Sequence, residues 1–117
     1  MKNRPFIDRL GYAFDGIRQG LKSEQSLRTH TLCATLALIA LSLLQPTLIW
    51  WALVGLMATL VLAAELINTA LEHLADHLHP EQHPKIKIVK DCAAAAVLVL
   101  SIGAIWVGVL MVVSVVK

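Results

Sequence analysis

The sequence predicts an all-α integral membrane protein in which one amphipathic surface helix precedes three transmembrane helices. Hydrophobic residues make up 57% of the 117 residues and the mean hydropathy is +0.70, above the roughly 45–50% apolar content of soluble domains. In addition, three apolar stretches reach or approach the roughly 20 helical residues that cross a bilayer. A chain of this length forms one domain, residues 1–117.

The first element, expected over about residues 5–27, differs from the spans because it mixes charged and apolar side chains. Its apolar residues recur at helical spacing, which predicts a helix with one hydrophobic face. Such a helix lies in the membrane interface, with its basic side toward the lipid headgroups. The segment lacks the early apolar core and cleavage site of a signal peptide. Its apolar face consists of Phe6, Ile7, Leu10, Phe14, Ile17 and Leu21.

Three membrane spans are expected over about residues 29–45, 48–71 and 91–116. No Asp, Glu, Lys or Arg occurs from Thr29 to Ala64. The strictly apolar part of the first span is short, and the weakly polar residues 27–30 can extend the same helix. Cys33 and Cys92 lie within or at the edge of spans and form no CxxC pair, so we interpret them as small apolar residues.

The distribution of basic residues predicts the orientation. Six of the ten Lys and Arg precede the first span, the connection at 45–47 carries none, and the connection at 72–91 carries Lys85, Lys87 and Lys90. The positive-inside rule then places the N-terminus and the second connection in the cytoplasm and the C-terminus outside. No basic run with interleaved aromatic residues is present, so nucleic acid is not expected as a partner.

Acidic residues gather where the second span ends. Glu65, Asn68, Glu72 and Asp76 are spaced three, four and four residues apart, which places them on one helical face within roughly 80°. An ionisable side chain at membrane depth usually faces a protein interior or a water-filled site and marks function. The alternative, a solvated face on a helix that has left the membrane, suits Asp76 and partly Glu72 but not Glu65.

Charged residues of the other elements converge on the same level. Glu24 and Arg28 close the surface helix, and Lys90 and Asp91 stand at the start of the third span. Asp91 as a plain N-terminal cap of that span is an equally weighted alternative. This level is the membrane interface, where a water-soluble donor can meet a lipid headgroup.

The residue types at this level suit phosphoryl transfer, which needs a metal on the phosphates, a nearby cation and a base. Glu24, Glu72 and Asn68 offer the oxygen ligands that Mg²⁺ prefers, while Lys90 and Arg18 offer positive charge. Composition and spacing alone do not choose ATP over other anions. Residues 16–23 contain glycines and a lysine, but their spacing is wrong for a phosphate-binding loop.

Four histidines lie in or near the second connection. The spacing of His73 and His77 could bind zinc, but neither an HExxH arrangement nor a cysteine partner accompanies them. Interfacial solvation is the favoured interpretation of this group, His73, His77, His79 and His83.

Two segments resemble the prokaryotic diacylglycerol kinase family, which includes the undecaprenol kinases. They are residues 64–72, AELINTALE, followed by Asp76, and residues 90–98, KDCAAAAVL, preceded by Glu81-Gln82-His83. The family hallmark reads E-[IL]-[ILV]-N-[ST]-A-[IL]-E, then D, then K-D with a run of small residues. The similarity covers about residues 6–116 and extends to the surface helix at Gly11-Tyr12, Gly16, Arg18, Glu24 and Leu27-Arg28.

The resemblance implies an integral membrane lipid kinase. Such an enzyme transfers the γ-phosphate of ATP, with Mg²⁺ as cofactor, to the hydroxyl of undecaprenol or diacylglycerol at the cytoplasmic interface. The product would be undecaprenyl phosphate or phosphatidic acid. The resemblance also implies a homotrimer of three-span subunits in the bacterial cytoplasmic (inner) membrane.

The resemblance further implies a role for individual residues. Glu72 would be the catalytic base and a metal ligand, and Glu24 the second metal ligand. Leu21 and Ser23 depart from the family pattern, which leaves the nucleotide contacts near them undefined. The implied nucleotide-binding residues are Tyr12, Arg18, Glu24, Glu65, Asn68, Glu72, Asp76, His83, Lys90 and Asp91.

The substrate is less well defined by the sequence. Arg28-Thr29-His30 and the alanine run after Asp91 are more similar to the undecaprenol kinase branch, whereas the diacylglycerol branch carries an acid near the position of His30. This favours the polyprenol slightly. Two other classes stay open: a small membrane exporter with an intramembrane Glu, although such exporters have four spans, and a catalytically silent membrane scaffold.

Overall fold

A computed structural model describes residues 3–117, and Lys2, one of the basic residues used to predict the orientation, lies outside them. The described chain contains four helices and no strand, which confirms the all-α class. The helices are α1 (Phe6–Ser23), α2 (Gln25–Leu44), α3 (Leu48–Leu78) and α4 (Pro84–Val116).

Three of these helices, α2, α3 and α4, are long and apolar enough to cross a membrane. At 1.5 Å per residue, α2 is about 30 Å long, which matches the hydrocarbon core of a bilayer, whereas α3 and α4 are about 46 and 50 Å long. The two longer helices therefore extend beyond the membrane at one end. We call this the polar end; it comprises the last turns of α3, the connection 79–83 and the first turns of α4.

The first helix is shorter than the expected 5–27. It ends at Ser23, Glu24 adopts an extended conformation (φ −118°, ψ 113°), and residues 25–30 begin α2. Arg28 stabilises this break, since its Nη1 donates hydrogen bonds to the carbonyls of Leu21 (2.8 Å) and Lys22 (3.0 Å) in the last turn of α1. The unpaired carbonyls of a helix end are thereby satisfied.

Both later helices continue past their expected spans at the polar end. No Gly or Pro lies between Leu56 and His79, so α3 continues to Leu78. Pro84 occupies the first position of α4, where its fixed φ suits a helix start. The predicted spans described only the apolar part of each helix.

The third helix is the centre of the fold. It packs chiefly against α4, and also contacts α2 and α1. The buried apolar residues lie along these contacts and include Leu27, Val61, Val97 and Met111. At the opposite end, Trp50 Nε1 of α3 donates a hydrogen bond to Ser114 Oγ of α4 at 3.2 Å.

Most apolar side chains of the long helices are not covered within one chain. In the most apolar 18-residue stretch of each of α2, α3 and α4, only 11% of the residues are buried. Large residues such as Leu43, Ile67 and Trp106 are exposed. Surfaces of this extent and polarity suit lipid or further protein, not water.

Candidate active site

The polar face of α3 carries the acidic residues that the spacing predicted. Asn68 Nδ2 donates a hydrogen bond to Glu72 Oε1 at 3.3 Å. Counted from Leu48, Glu72 lies about 36 Å along the helix axis, which is beyond a hydrocarbon core of about 30 Å. Glu72 therefore lies beyond the part of α3 that is needed to cross a hydrocarbon core, and one of its oxygens accepts a hydrogen bond from a neighbouring amide.

The neighbouring acids are neutralised by lysines, whereas Glu72 is not. Asp76 Oδ1 accepts a hydrogen bond from Lys90 Nζ at 2.5 Å, and Asp91 Oδ2 accepts one from Lys87 Nζ at 2.6 Å. Within residues 3–117, no basic side chain lies within 4.0 Å of the Glu72 carboxylate. Its charge is thus available to a cation or a proton from outside the chain.

The two lysines precede the apolar part of α4, which begins at Cys92. The hydrogen bond to Asp76 raises the pKa of Lys90 above its usual 10.5. Lys87 behaves in the same way, because its hydrogen bond to Asp91 raises its pKa. Both side chains are therefore cationic throughout the physiological pH range.

One of the two interpretations of Asp91 is wrong. Asp91 lies two turns inside α4, and the N-terminal cap is His83, whose Nδ1 accepts a hydrogen bond from the backbone N–H of Lys85 at 3.1 Å. The helix begins earlier than the apolar span, so Asp91 cannot cap it.

Glu24 approaches α3 from the break between α1 and α2. Its Oε1 lies 3.8 Å from Nε2 of His73, the residue that follows Glu72. The extended backbone at Glu24 directs the chain from the surface helix into α2. Glu24 is therefore held beside the turn of α3 that carries Glu72.

The side chains of Glu24, Glu72 and Asn68 have the chemistry of Mg²⁺ ligands, in a site where phosphate oxygens and water would supply the remaining ligands. Within residues 3–117, no three His, Cys, Asp or Glu side chains group as a metal site. Protein-bound Mg²⁺ often uses only one or two carboxylates together with waters and phosphate oxygens. Asn68 Oδ1 is buried and has no hydrogen-bond partner, so an oxygen ligand is free beside Glu72.

Glu65 lies deeper than the other acids of this face. It is 2% exposed and lies about 25 Å along α3 from Leu48, inside a core of about 30 Å. His30 Nδ1 of α2 is 2.6 Å from Glu65 Oε1, and His30 Nε2 is 3.3 Å from Ser101 Oγ of α4. Three helices thus meet at this carboxylate.

Three predicted nucleotide-binding residues make no hydrogen bond or ion pair with any other predicted site residue within the described chain. Arg18 pairs with Asp15 on its own helix at 3.3 Å. Tyr12 is a partly exposed side chain of α1. His83 caps α4, and the edge of its ring meets that of His79 with 5.3 Å between centroids.

Sequence reasoning did not assign the partners of these acids. Three residues absent from the predicted site each contact one of its members, namely His73, Lys87 and His30. Ser101, also absent, contacts His30. A signal exists for Ser101, which is the only hydroxyl residue between Cys92 and Ser114 in an otherwise apolar helix. Lys87 lies four residues before Asp91 on the same helix, a spacing that brings side chains together. The contacts of His73 and His30 depend on how the helices cross.

Comparison with known proteins agrees with the resemblance on residues 64–72 and 90–98. The sequence model of the family described as prokaryotic diacylglycerol kinase matches residues 11–112. A diacylglycerol kinase of Synechocystis sp. is 39% identical over 98 residues, which cover 83% of this chain and 56% of that protein. The chain therefore spans little more than half the length of that relative.

This chain covers a larger share of two further relatives. The undecaprenol kinase of Bacillus subtilis is 31% identical over 106 residues, which cover 91% of this chain and 86% of that protein. The diacylglycerol kinase of Helicobacter pylori is 32% identical over 90 residues, covering 77% of this chain and 70% of that protein. The family match, together with three long apolar helices, favours this family over the small exporters, which have four spans. The chain belongs to the prokaryotic diacylglycerol kinase family.

Proposed function

We propose that this chain is an ATP-dependent lipid kinase that phosphorylates the hydroxyl of undecaprenol or diacylglycerol at the cytoplasmic interface. The observation that carries the proposal is the position of the Glu72 carboxylate and its lack of a basic partner. Its part-buried carboxylate stands where α3 leaves the membrane, is held by Asn68, and has no basic partner within 4.0 Å among residues 3–117. A water-soluble nucleotide and a lipid hydroxyl can meet at this level.

Glu72 is the proposed general base. It removes the proton of the lipid hydroxyl, the hydroxyl oxygen forms a bond to the γ-phosphorus, and the bond from that phosphorus to the β–γ bridging oxygen breaks. ADP leaves with the electron pair of that bond, and the proton passes from Glu72 to water. The hydrogen bond from Asn68 fixes the carboxylate for this step.

We propose that Mg²⁺ is bound by Glu24, Glu72 and Asn68. When bound, the ion neutralises charge on the phosphate oxygens and so lowers the barrier to transfer. Lys90 and Arg18 supply positive charge near the nucleotide. The remaining proposed nucleotide-binding residues are Tyr12, Glu65, Asp76, His83 and Asp91.

Undecaprenol is the slightly favoured substrate. His30 stands where the diacylglycerol branch carries an acid, and the residues around it are more similar to the undecaprenol kinases. The relatives include proteins named for each activity, so the substrate needs direct measurement.

We further propose a homotrimer in the bacterial cytoplasmic (inner) membrane, with α1 in the interface and the N-terminus in the cytoplasm. The uncovered apolar surface of α2, α3 and α4 supports association. The exposed Phe6, Ile7 and Phe14 on α1 support an interfacial position. Native mass spectrometry of the protein in detergent micelles would distinguish a trimer from other assemblies.

The test of function is phosphorylation of each lipid by the purified protein in vesicles, with ATP labelled in its γ-phosphate. We expect label on the polyprenol, and a loss of turnover of roughly 10²–10⁴-fold in Glu72→Gln, as for removal of a general base. Asp8→Asn is the matched control because it neutralises an exposed carboxylate on α1. If neither undecaprenol nor diacylglycerol became labelled, the kinase proposal would be refuted.

The variant Glu65→Gln separates the roles of the two glutamates of α3. If Glu65→Gln abolished turnover while Glu72→Gln regained it at high Mg²⁺, Glu72 would be a metal ligand only and would not be the base. If the Glu72 variant stayed without turnover at all Mg²⁺ concentrations, the assignment of the base to Glu72 would stand.

A further inference from the structure

The contacts of His30 define which of its ring nitrogens carry hydrogen. Nδ1 faces two oxygens, Glu65 Oε1 at 2.6 Å and the Ser26 carbonyl at 3.1 Å. A carbonyl oxygen can only accept a hydrogen bond. Nδ1 therefore carries a hydrogen that it can share between the two oxygens.

The second ring nitrogen also faces an acceptor. Ser101 Oγ lies 3.3 Å from His30 Nε2 and donates its own hydrogen to the Val97 carbonyl at 2.8 Å. The hydroxyl contact with the carbonyl is the shorter of the two, which directs its lone pairs toward the ring and favours a hydrogen on Nε2 as well. An imidazole with hydrogen on both nitrogens is a cation.

We infer that His30 is an imidazolium and acts as a positioning residue of the kinase by holding Glu65 as a carboxylate within the membrane. This inference rests on the proposed function for its catalytic consequence, since Glu65 is one of the acids assigned to the site. Ser101 positions the ring from α4, so α2, α3 and α4 all contribute to one acid of the site.

The physical reason is the burial of Glu65. A lone carboxylate that is 2% exposed in an apolar span would be neutralised by protonation, because burial disfavours the charged form. A cation in contact offsets that penalty and makes the pair neutral overall. The 2.6 Å contact also restricts the side chain to one orientation.

The surroundings of the pair contain no competing basic group. Within residues 3–117, His30 is the only basic side chain within 4.0 Å of Glu65. The α4 helix faces the pair with the uncharged Ser101, and α1 contributes no hydrogen bond or ion pair to it among the described contacts. Loss of His30 therefore removes all positive charge from contact with this carboxylate.

Nitrogen NMR of histidine-labelled protein in lipid bilayers tests the charge without any measurement of turnover. At about pH 8, where a free histidine is neutral, we expect one histidine with hydrogen on both ring nitrogens. Its signal should vanish in His30→Gln and convert to a neutral imidazole in Glu65→Gln. His77→Gln, which removes an exposed histidine, should leave it unchanged. Five neutral histidines in the unsubstituted protein would overturn the inference.

The pH dependence of turnover tests the positioning role. His30→Gln removes the cation in contact with Glu65, so the pH–rate profile of this variant should differ in shape from that of the unsubstituted protein. We expect kcat/KM near pH 7 to fall by about 10²-fold, with recovery at higher pH. An equal loss at every pH would indicate a purely structural role and contradict the positioning role.

A double variant keeps the test interpretable if His30→Gln does not fold. His30→Gln with Glu65→Gln removes both charges, so the folded yield should return while turnover does not. A double variant that remains unfolded would contradict the view that the unpaired charge is the cause. If lipid phosphorylation were absent in the unsubstituted protein while the NMR result held, the kinase proposal would fail and the ion pair would stand.

Discussion

Lys90 of α4 donates a hydrogen bond to Asp76 of α3, fourteen residues earlier in the chain. This contact joins the polar ends of the two longest helices on either side of the connection 79–83. Lys87 makes the comparable contact with Asp91 within α4. Only the first of these two ion pairs therefore joins different helices beside Glu72.

The difference between the two lysines gives a matched pair of variants. Lys90→Gln should raise the KM for MgATP by roughly two- to fivefold, the range expected for partly exposed charge pairs, because it removes a cation whose charge interacts with Glu72. Lys87→Gln removes the same charge from an exposed pair of α4 and should change KM less. Steady-state kinetics of lipid phosphorylation would measure both, and equal effects would remove Lys90 from the nucleotide site.

Glu24 and Glu72 should respond differently to the Mg²⁺ concentration. The variant Glu24→Gln should need a higher Mg²⁺ concentration for activity, and its activity should recover when Mg²⁺ is saturating. The reason is that Glu24 holds the ion without taking the proton. Glu72→Gln should not recover. The measurement is turnover against free Mg²⁺, with Asp8→Asn as control. A Glu24→Gln curve that matches the unsubstituted protein would show that Glu24 is no ligand.

Gly20 should tolerate a side chain poorly. A Cβ at this position would lie 2.8 Å from Leu27 Cδ2 and 3.3 Å from Leu66 Cδ2, where α1 meets the other helices. Leu27 is itself buried, so it has little room to move. We expect Gly20→Val to reduce the free energy of unfolding by roughly 1–3 kcal/mol, as overpacking does.

Gly11 is the matched control for that variant. No atom lies within 4 Å of a Cβ built there, so Gly11→Val should be neutral or slightly stabilising, because valine has a higher helix propensity than glycine. Denaturant titration in mixed micelles measures both. Equal destabilisation by the two variants would mean that α1 does not pack at Gly20 as described.

The orientation can be measured with single cysteines. In a background of Cys33→Ala and Cys92→Ala, Glu81→Cys places a thiol in the connection 79–83, and Lys117→Cys places one after α4. The positive-inside rule predicts that an impermeant reagent added to intact cells labels position 117 but not position 81. The reverse pattern would invert the proposed topology and move the site to the outer face.

The sequence by itself determined the helical class, the three apolar helices and the acidic face of α3. Periodicity is a local property, so the spacing of Glu65, Asn68 and Glu72 specified their common face without knowledge of any other helix. The hydrogen bond from Asn68 to Glu72 joins residues four positions apart, a separation that helical geometry brings together. The family motif lies in the same local segments.

Tertiary structure decided which acids of α3 are paired with a basic side chain. His30 and Glu65 are 35 positions apart in the chain, and Ser101 lies 71 positions from His30, so their contact depends on the crossing of α2, α3 and α4. The break at Glu24 likewise depends on the hydrogen bonds of Arg28 to the end of α1. A sequence pattern places side chains on a face, but the partner across that face is set by helix packing. For this reason Glu65 and Glu72, seven residues apart on one helix, have different environments: one is paired inside the membrane and the other is free at its edge.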